Sequence, residues 1–214
     1  GKNRVLSKAE VLGRLCYCGF EIIDERKKGD LSYVIARRKF RPELTARRLY
    51  GILVKLNRVG KNGKMFKVYK FRTMHPYSEF LQEYIYNRYS LQEGGKFNHD
   101  IRVTTLGRIA RKYWMDELPM IINLLKGDMK LVGVRPISKH YFSLYSQELQ
   151  AKRVHHKPGL LPPFYADMPK TLDEIEASEM RYLTMCEQRG TFLTDFIYFW
   201  RICYTILFKR ARSH

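Results

Sequence analysis

The stretch LGRIARKYWMDELPMIINLLKGDMKLVGVRP, residues 106–136, carries two adjacent carboxylates, Asp116 and Glu117, between two apolar patterns of helical period. Apolar residues recur at i, i+3, i+4 and i+7 from Leu106 and again from Leu118, which predicts one helix that ends before the pair and a second that starts with it. Free N–H groups and the helix dipole at a helix N-terminus stabilise negative charge. We therefore expect this setting to keep Asp116 ionised.

The carboxylate pair has two interpretations. An isolated Asp before a helix is usually only an N-cap, but Glu117 adds a repulsion that a cap does not need. Cations also surround the pair in sequence: Arg102, Arg108, Arg111, Lys112 and Arg135. Such a pair suits an anionic substrate with a divalent metal, where one oxygen is a nucleophile and another a ligand of the hard cation. The residues alone predict phosphoryl transfer and no finer activity.

Two runs of residues carry a family resemblance. GRIARKYWMDELPMIINLLKGDMKLVGVRP, residues 107–136, resembles the signature of the bacterial sugar transferases, the monotopic phosphoglycosyl transferases that start capsule, exopolysaccharide and O-antigen (lipopolysaccharide) assembly. RVGKNGKMFKVYKFRTM, residues 58–74, is similar to that family's other hallmark, in the same order and at the same spacing. The similarity extends from about residue 50 to the C-terminus, and two long motifs in register make it specific.

The resemblance implies an enzyme that transfers a sugar-1-phosphate from a UDP-sugar to a polyprenyl (undecaprenyl) phosphate and releases UMP. Asp116 and Glu117 are then the catalytic residues: Asp116 forms an aspartyl-phosphosugar intermediate and Glu117 holds Mg²⁺. The implied phosphate-binding residues are Lys70, Arg72, Arg102, Arg111 and Arg135. From the residues alone, exposed cations on a strand and a plain Asp100–Arg102 salt bridge stay open as alternatives.

Departures from the family pattern are local. Trp114 and Met115 stand where the family commonly has Ser and Leu, Met120 replaces a frequent Gln, Val134 replaces a Pro, and PPFYADMP follows Lys157-Pro158-Gly159 in place of the usual continuation. None of these changes removes a charged catalytic group. They indicate a divergent branch with its own sugar or regulation.

Composition is that of a folded, basic protein. The 214 residues are 45% hydrophobic, enough for one domain with a core and a small appendage. Forty Lys and Arg against 21 Asp and Glu give a net charge of +19, which points to nucleic acid, an anionic membrane surface or phosphorylated substrates without choosing among them. Four cysteines without metal-ligand spacing indicate a reduced, cytosolic setting.

Three segments are predicted along the chain. Residues 1–40 form a small N-terminal α-β-β appendage, because Ser7 and Glu10 make a capping box and two strand-like runs follow around KKGD. Residues 41–49 are a basic connector. Residues 50–214 form the sugar transferase catalytic domain.

The predicted fold class is α+β and mainly helical. A small antiparallel hairpin is expected over residues 52–59 and 64–72, since Asn62-Gly63 favours a tight turn. We also expect amphipathic helices on the membrane surface. For the aromatic C-terminal segment, residues 192–208, an interfacial helix and an ordinary terminal helix packed on the core both stay open.

The resemblance also implies a location. No run reaches the roughly 18–20 apolar residues of a spanning helix, no signal peptide is recognisable, and the chain begins at Gly1. Because the family usually carries a hydrophobic N-terminal part, we expect a fragment that lacks an upstream anchor and works at the cytoplasmic face of the bacterial inner membrane. Its expected partners are the UDP-sugar, the polyprenyl phosphate and anionic lipids, and an oligomer stays open.

Two rival functions come from other classes. A nucleic-acid-binding module would explain the charge, but no helix-turn-helix, zinc-finger or RNP-type pattern is present, so no nucleic acid is expected as a partner. A catalytically silent, membrane-associated scaffold of polysaccharide assembly would not need the intact carboxylate pair.

Overall fold

A computed structural model of the chain describes residues 6–42, 50–88, 91–92, 96–97 and 100–208. These residues form two compact units, which we call the first unit (Gly1–Ile52 and Arg72–Ile109) and the second unit (Leu53–Phe71 and Ala110–His214). Helices take up about half of the chain, and most strands form small antiparallel sheets, which confirms the α+β class. The predicted boundaries near residues 40 and 50 stay a prediction, and most of the connector lies outside the described residues.

The described elements run in chain order as follows: α1 (Lys8–Tyr17), β1 (Phe20–Lys28), β2 (Leu31–Arg38), β3 (Leu53–Val59), a 3-10 turn (Lys61–Gly63), β4 (Met65–Phe71), a 3-10 turn (Ser78–Leu81), α2 (Gln82–Arg88), β5 (Leu91–Gln92), β6 (Lys96–Phe97), α3 (Thr105–Lys112), a 3-10 helix (Met115–Met120), α4 (Ile121–Leu125), β7 (Lys130–Val132), α5 (Lys139–Ser143), α6 (Gln147–Val154), β8 (Gly159–Leu161), α7 (Phe164–Asp167), α8 (Leu172–Arg189) and α9 (Thr191–Phe208).

The first unit begins with the predicted helix and two strands. The Ser7 hydroxyl accepts a hydrogen bond from the Glu10 amide at 3.2 Å and so caps α1, as the capping box predicts. Strands β1 and β2 pair antiparallel from Phe20↔Arg38 onward. Helix α1 buries Leu12 against Leu81, outside residues 1–40. That these residues act as a separate appendage therefore stays a prediction.

The hairpin at the start of the second unit lies where it was predicted. Strands β3 and β4 pair antiparallel from Leu53↔Phe71 to Val59↔Met65. Asn62 and Gly63 in the connecting turn have φ of 57° and 69°. Asn and Gly adopt this left-handed conformation at low cost, which is why the Asn-Gly pair predicts the turn.

The larger core of the second unit gathers helices around the short parallel pair β7–β8. Tyr182, Tyr198, Ile202 and Leu149 are buried in it. Gly133 and Gly159 face each other, and a Cβ on Gly159 would lie 2.1 Å from the Gly133 nitrogen. Only glycine allows this approach, which places residues 133–135 beside residues 157–159.

The prediction of two regular helices around the carboxylate pair was partly wrong. Helix α3 ends at Lys112, and the pair lies in the first turn of the 3-10 helix, so that regular α-helix starts only at Ile121. Pro119 within this segment has no N–H to donate and would disrupt a longer α-helix. Apolar residues of both patterns are also exposed, with Leu125 at 84%. Helical spacing of apolar residues therefore does not point to the protein core here.

Helix α9 has two unlike faces. One face is buried in the core of the second unit through Thr194, Tyr198, Ile202 and Thr205. The opposite face exposes a stripe of aromatic residues: Phe192, Phe196, Trp200, Tyr204 and Phe208. Within the described part of the chain, no helix combines the length and the apolar character that crossing a membrane requires.

Candidate active site

The carboxylate pair lies in the second unit, on a 3-10 helix that packs against strand β4. The segment is preceded by Trp114 in the left-handed conformation, φ 55°, and no side chain caps it. The reading of Asp116 as an N-cap is therefore wrong. Both side chains are largely buried, since Asp116 is 7% and Glu117 9% exposed.

Lys70 on β4 contacts Glu117 of the pair directly. Its ammonium lies 2.6 Å from Glu117 Oε1, and both side chains are mostly shielded from water. Because charges in a poorly hydrated setting interact strongly, this contact fixes Glu117 and brings a positive charge beside Asp116. The structure thus joins the two sequence motifs, one carrying Lys70 and the other the carboxylates.

Asp116 is the unsatisfied member of the pair. Its Oδ1 is buried and has no hydrogen-bond partner among the described residues. Burial raises the pKa of Asp116, and the charge of Glu117 raises it further, while Lys70 and Arg111 act in the opposite direction. This direction differs from the expectation from the helix terminus, because desolvation of the carboxylate is the largest effect. Asp116 therefore has a buried carboxylate oxygen without a hydrogen-bond partner among the described residues, and Lys70 and Arg111 bring two positive charges near it.

Asn123 fixes the position of α4, the helix that follows the carboxylate pair. The sequence analysis did not predict this role. It is fully buried, and its side chain accepts a hydrogen bond from the Tyr69 amide at 3.1 Å and donates one to the Lys67 carbonyl at 2.8 Å. The Asn123 side chain therefore pairs with the backbone of β4 as a neighbouring strand would, next to Lys70. The available signal was a single polar residue inside an otherwise apolar run.

Arg135 lies after β7 in the second unit, and its side chain is exposed. Its guanidinium lies 5.5 Å from the centre of the Phe164 ring. Burial lowers the pKa of Arg58 on β3, and the positive charge of Arg135 lowers it further. No described acidic side chain forms a salt bridge with Arg58 or Arg135. Their two positive charges therefore form an electrostatic setting that favours anions.

Two of the predicted phosphate-binding residues belong to the first unit. Arg102 is buried, and its guanidinium donates to both carboxylate oxygens of Asp100 and to Gln82, with a shortest distance of 2.6 Å. Arg72 donates through Nε to the Gly51 carbonyl at 2.9 Å. The salt-bridge alternative for Arg102 is thus present, and substrate binding by Arg72 and Arg102 stays a prediction.

Two positions that depart from the family pattern contact each other. The Trp114 indole N–H donates to the Tyr165 hydroxyl at 2.9 Å, and the rings pack edge to face with centroids 5.7 Å apart. Tyr165 belongs to the run PPFYADMP. These two departures are therefore in direct contact, and one of them, Trp114, lies two residues before Asp116.

The pair offers oxygen ligands of the type that Mg²⁺ prefers. Asp116 contributes the unpartnered oxygen, and Glu117 a carboxylate whose Oε1 contacts Lys70. No group of three or more candidate metal-ligating side chains occurs among the described residues. Since Mg²⁺ is often held by one or two carboxylates with substrate phosphates and water, the residues fit an ion shared with a substrate.

Comparison with known proteins agrees with the motifs. The chain is 38% identical over 109 residues to an uncharacterized sugar transferase, EpsL, of Bacillus subtilis, covering 51% of this chain and 48% of the relative. It is 42% identical over 108 residues to an undecaprenyl-phosphate galactose phosphotransferase of Salmonella typhimurium, covering 48% and 22%. A UDP-N-acetylgalactosamine-undecaprenyl-phosphate N-acetylgalactosaminephosphotransferase of Aeromonas hydrophila is 35% identical over 144 residues, covering 61% and 30%.

The chain spans less than half the length of each of these relatives. The family model for the bacterial sugar transferases, by contrast, matches residues 43–209, which is most of this chain. That range includes β4, the carboxylate pair and α9. The protein therefore belongs to the bacterial sugar transferase family.

Proposed function

We propose that this protein transfers a sugar-1-phosphate from a UDP-sugar to a polyprenyl phosphate, the initiating step of capsule, exopolysaccharide or O-antigen synthesis. Membership in the sugar transferase family supports the reaction class. Two similar proteins carry names that specify undecaprenyl-phosphate sugar phosphotransferases. The observation that carries the proposal is the buried, unpartnered Asp116 oxygen beside the Glu117–Lys70 ion pair.

The first half of the proposed reaction uses Asp116 as the nucleophile. A carboxylate oxygen attacks the β-phosphorus of the UDP-sugar, and the bond from that phosphorus to the oxygen bridging to the α-phosphate breaks. UMP leaves with the electron pair, and the sugar phosphate stays bound to Asp116 as an acyl phosphate. An unpartnered oxygen suits this role because no hydrogen bond has to break before the attack.

The second half regenerates the carboxylate. A phosphate oxygen of the polyprenyl phosphate attacks the phosphorus of the intermediate, and the bond to the Asp116 oxygen breaks. The product is a polyprenyl-diphospho-sugar. Splitting the transfer into two steps lets a water-soluble donor and a lipid acceptor use the same carboxylate in turn.

Cations close to Asp116 support both steps. Lys70 and Arg111 lie near enough to oppose the effect of burial on the Asp116 pKa, so they favour the ionised nucleophile and attract the phosphates. Mg²⁺ held by Glu117, when bound, supplies further neutralisation of phosphate charge. For a further contact with the donor we propose Arg135.

We also propose that the protein works on the cytoplasmic face of the bacterial inner membrane, where a lipid acceptor is available. The aromatic stripe of α9 and the exposed apolar residues around the carboxylate pair are the kind of surface that enters the boundary of a bilayer. The net charge of +19 adds attraction to anionic lipids. These features make the surface helices amphipathic elements that hold the site at the lipid.

UMP release tests the enzymatic proposal. The full-length protein in nanodiscs is incubated with polyprenyl phosphate, Mg²⁺ and a set of UDP-sugars, and UMP and the covalent sugar-phosphate adduct are measured. Asp116→Asn abolishes both signals, because an amide does not form the acyl phosphate. Asp128→Asn makes the same chemical change later in the same stretch and leaves them intact. UMP release by Asp116→Asn at the wild-type rate would exclude Asp116 as the nucleophile.

A further inference from the structure

The segment that carries Arg135 is held by its backbone carbonyls. The Val134 carbonyl accepts a hydrogen bond from the Gly159 amide at 2.9 Å, and the Ile137 carbonyl accepts one from the Val59 amide at 3.0 Å. Between them, the Arg135 carbonyl accepts from Arg153 Nη2 at 2.6 Å. Of these three bonds, only the one at Arg135 comes from a charged side chain, so it is the strongest single restraint on the segment.

Arg153 is itself held from two further sides. It lies on α6 and is only 5% exposed. Its Nη1 pairs with Oε2 of Glu179 on α8, which is itself 0% exposed. The guanidinium also lies 5.2 Å from the centre of the Tyr145 ring. The planar fork of an arginine can bridge a carboxylate and a carbonyl at once, which a lysine ammonium does less well. Arg153 therefore connects Glu179 with the backbone of Arg135.

Stability alone does not explain this buried pair. Burial lowers the pKa of Arg153 to about 10, and Glu179 Oε1 is buried without a hydrogen-bond partner in the described part of the chain. Buried ion pairs often contribute no more to stability than well-packed apolar residues, because desolvation of the charges offsets their attraction. What the pair does provide is a defined position for the Arg135 carbonyl.

The restraint on the backbone is matched by a free side chain. Arg135 is exposed, and its guanidinium lies over the Phe164 ring. A guanidinium that projects from a fixed backbone over an aromatic ring loses less conformational freedom on binding a phosphate than one on a mobile loop. Any shift of the backbone would move the guanidinium relative to that phosphate.

We propose that Arg153 and Glu179 are positioning residues: they fix the backbone of Arg135 so that its guanidinium meets a phosphate of the nucleotide-sugar donor in one orientation. This inference rests on the proposed function and adds to it the device that orients the donor. Neither residue touches the substrate, so their effect passes entirely through Arg135.

A double-mutant cycle tests the inference. Binding of UMP to the full-length protein in nanodiscs is measured by calorimetry, together with KM and kcat for UMP release from the UDP-sugar donor. Arg153→Lys keeps the charge but loses the bridge, and we expect the Kd for UMP and the donor KM to rise about tenfold, equivalent to about 1.4 kcal/mol. We expect kcat to change little, because the Asp116 region is untouched. In an Arg135→Gln background, Arg153→Lys has no further effect on either constant.

Lys152→Gln is the matched control. Lys152 is the neighbour of Arg153 on α6 and also forms an ion pair with α8, to Glu187 at 3.3 Å, without contacting Arg135. We expect Lys152→Gln to leave the Kd for UMP unchanged. If Arg153→Lys does not fold, Glu179→Gln, which removes the charge at nearly constant shape, replaces it in the same cycle.

The outcomes separate this inference from the proposed function. A wild-type protein that neither binds nor releases UMP overturns the proposed function and this inference with it. Equal losses from Arg153→Lys in the wild-type and Arg135→Gln backgrounds, with an active wild type, overturn the positioning role alone. An equal loss from Lys152→Gln does the same.

Discussion

At Asp116, burial and charge act in opposite directions on the same carboxyl group. Desolvation and Glu117 raise its pKa, whereas Lys70 and Arg111 lower it, and the net shift is upward. The folded protein therefore holds the Asp116 proton more tightly than the unfolded chain does. By linkage, its contribution to stability falls as the pH rises through the window between the unfolded and the folded pKa.

Asp116→Asn should for this reason stabilise the protein at neutral pH while it abolishes UMP release. The amide does not titrate and is less costly to bury than the charge. Thermal unfolding followed from about pH 3 to about pH 7 is the measurement. The melting temperature of the variant exceeds that of the wild type at the upper end of this range, and the difference disappears at the lower end, where both side chains are neutral.

Asp128→Asn, with no such buried oxygen, controls for the loss of one charge. A melting temperature that is lower for Asp116→Asn than for the wild type at neutral pH would contradict the direction of the pKa shift.

The carboxylates themselves were predictable from the sequence. Their burial was not, because it depends on β4, whose residues are far from the pair in sequence.

Among the elements, the docking of α4 on β4 depends on one buried amide. Asn123 satisfies the Tyr69 amide and the Lys67 carbonyl of the strand that also carries Lys70. Asn123→Ala removes the side-chain partner of both partly buried backbone groups. We expect it to lower the free energy of unfolding by about 2 kcal/mol and to reduce UMP release, since the carboxylate pair shifts relative to Lys70.

Chemical denaturation and the UMP assay measure the two effects. Asn57→Ala, on the exposed side of the neighbouring strand β3, is the control, and we expect it to change stability by less than about 0.5 kcal/mol. An unaltered midpoint of unfolding for Asn123→Ala would show that the amide does not hold the two elements together.

Element types were more predictable than the surfaces they expose. The capping box at Ser7 and the Asn62-Gly63 turn act within a few residues, and the structure contains both. The apolar patterns from Leu106 and Leu118 predicted helical segments, but neither the 3-10 geometry around the carboxylate pair nor the environment of each face. A helical pattern states only that apolar residues share a side; what covers that side depends on the rest of the fold.

For the whole molecule, we expect the net charge of +19 and the exposed apolar surface to make separate contributions to membrane binding. We expect the full-length protein to bind vesicles with anionic lipid more tightly than neutral vesicles. Raising the salt from about 50 mM to about 200 mM weakens the binding to the anionic vesicles, because exposed charges are screened. Vesicle flotation at the two salt concentrations measures this.

Replacement of Phe196 and Trp200 by Ser should weaken binding to both kinds of vesicle, since it removes apolar surface and no charge. Leu144→Ser removes an exposed apolar side chain outside α9 and is the control. Unchanged vesicle binding by the α9 variant would leave α9 as an ordinary terminal helix. Binding that is equal for neutral and anionic lipid would remove the role of the net charge.

Membership in the sugar transferase family, the α+β class, the hairpin and the identity of the carboxylate pair followed from the sequence, because each is written in short motifs whose residues lie close together in the chain. Only the tertiary structure placed Lys70 on Glu117, Asn123 on β4 and Arg153 on the Arg135 carbonyl. These contacts join residues that are distant in sequence, and local period and propensity do not encode which distant groups will meet or how deeply a carboxylate is buried.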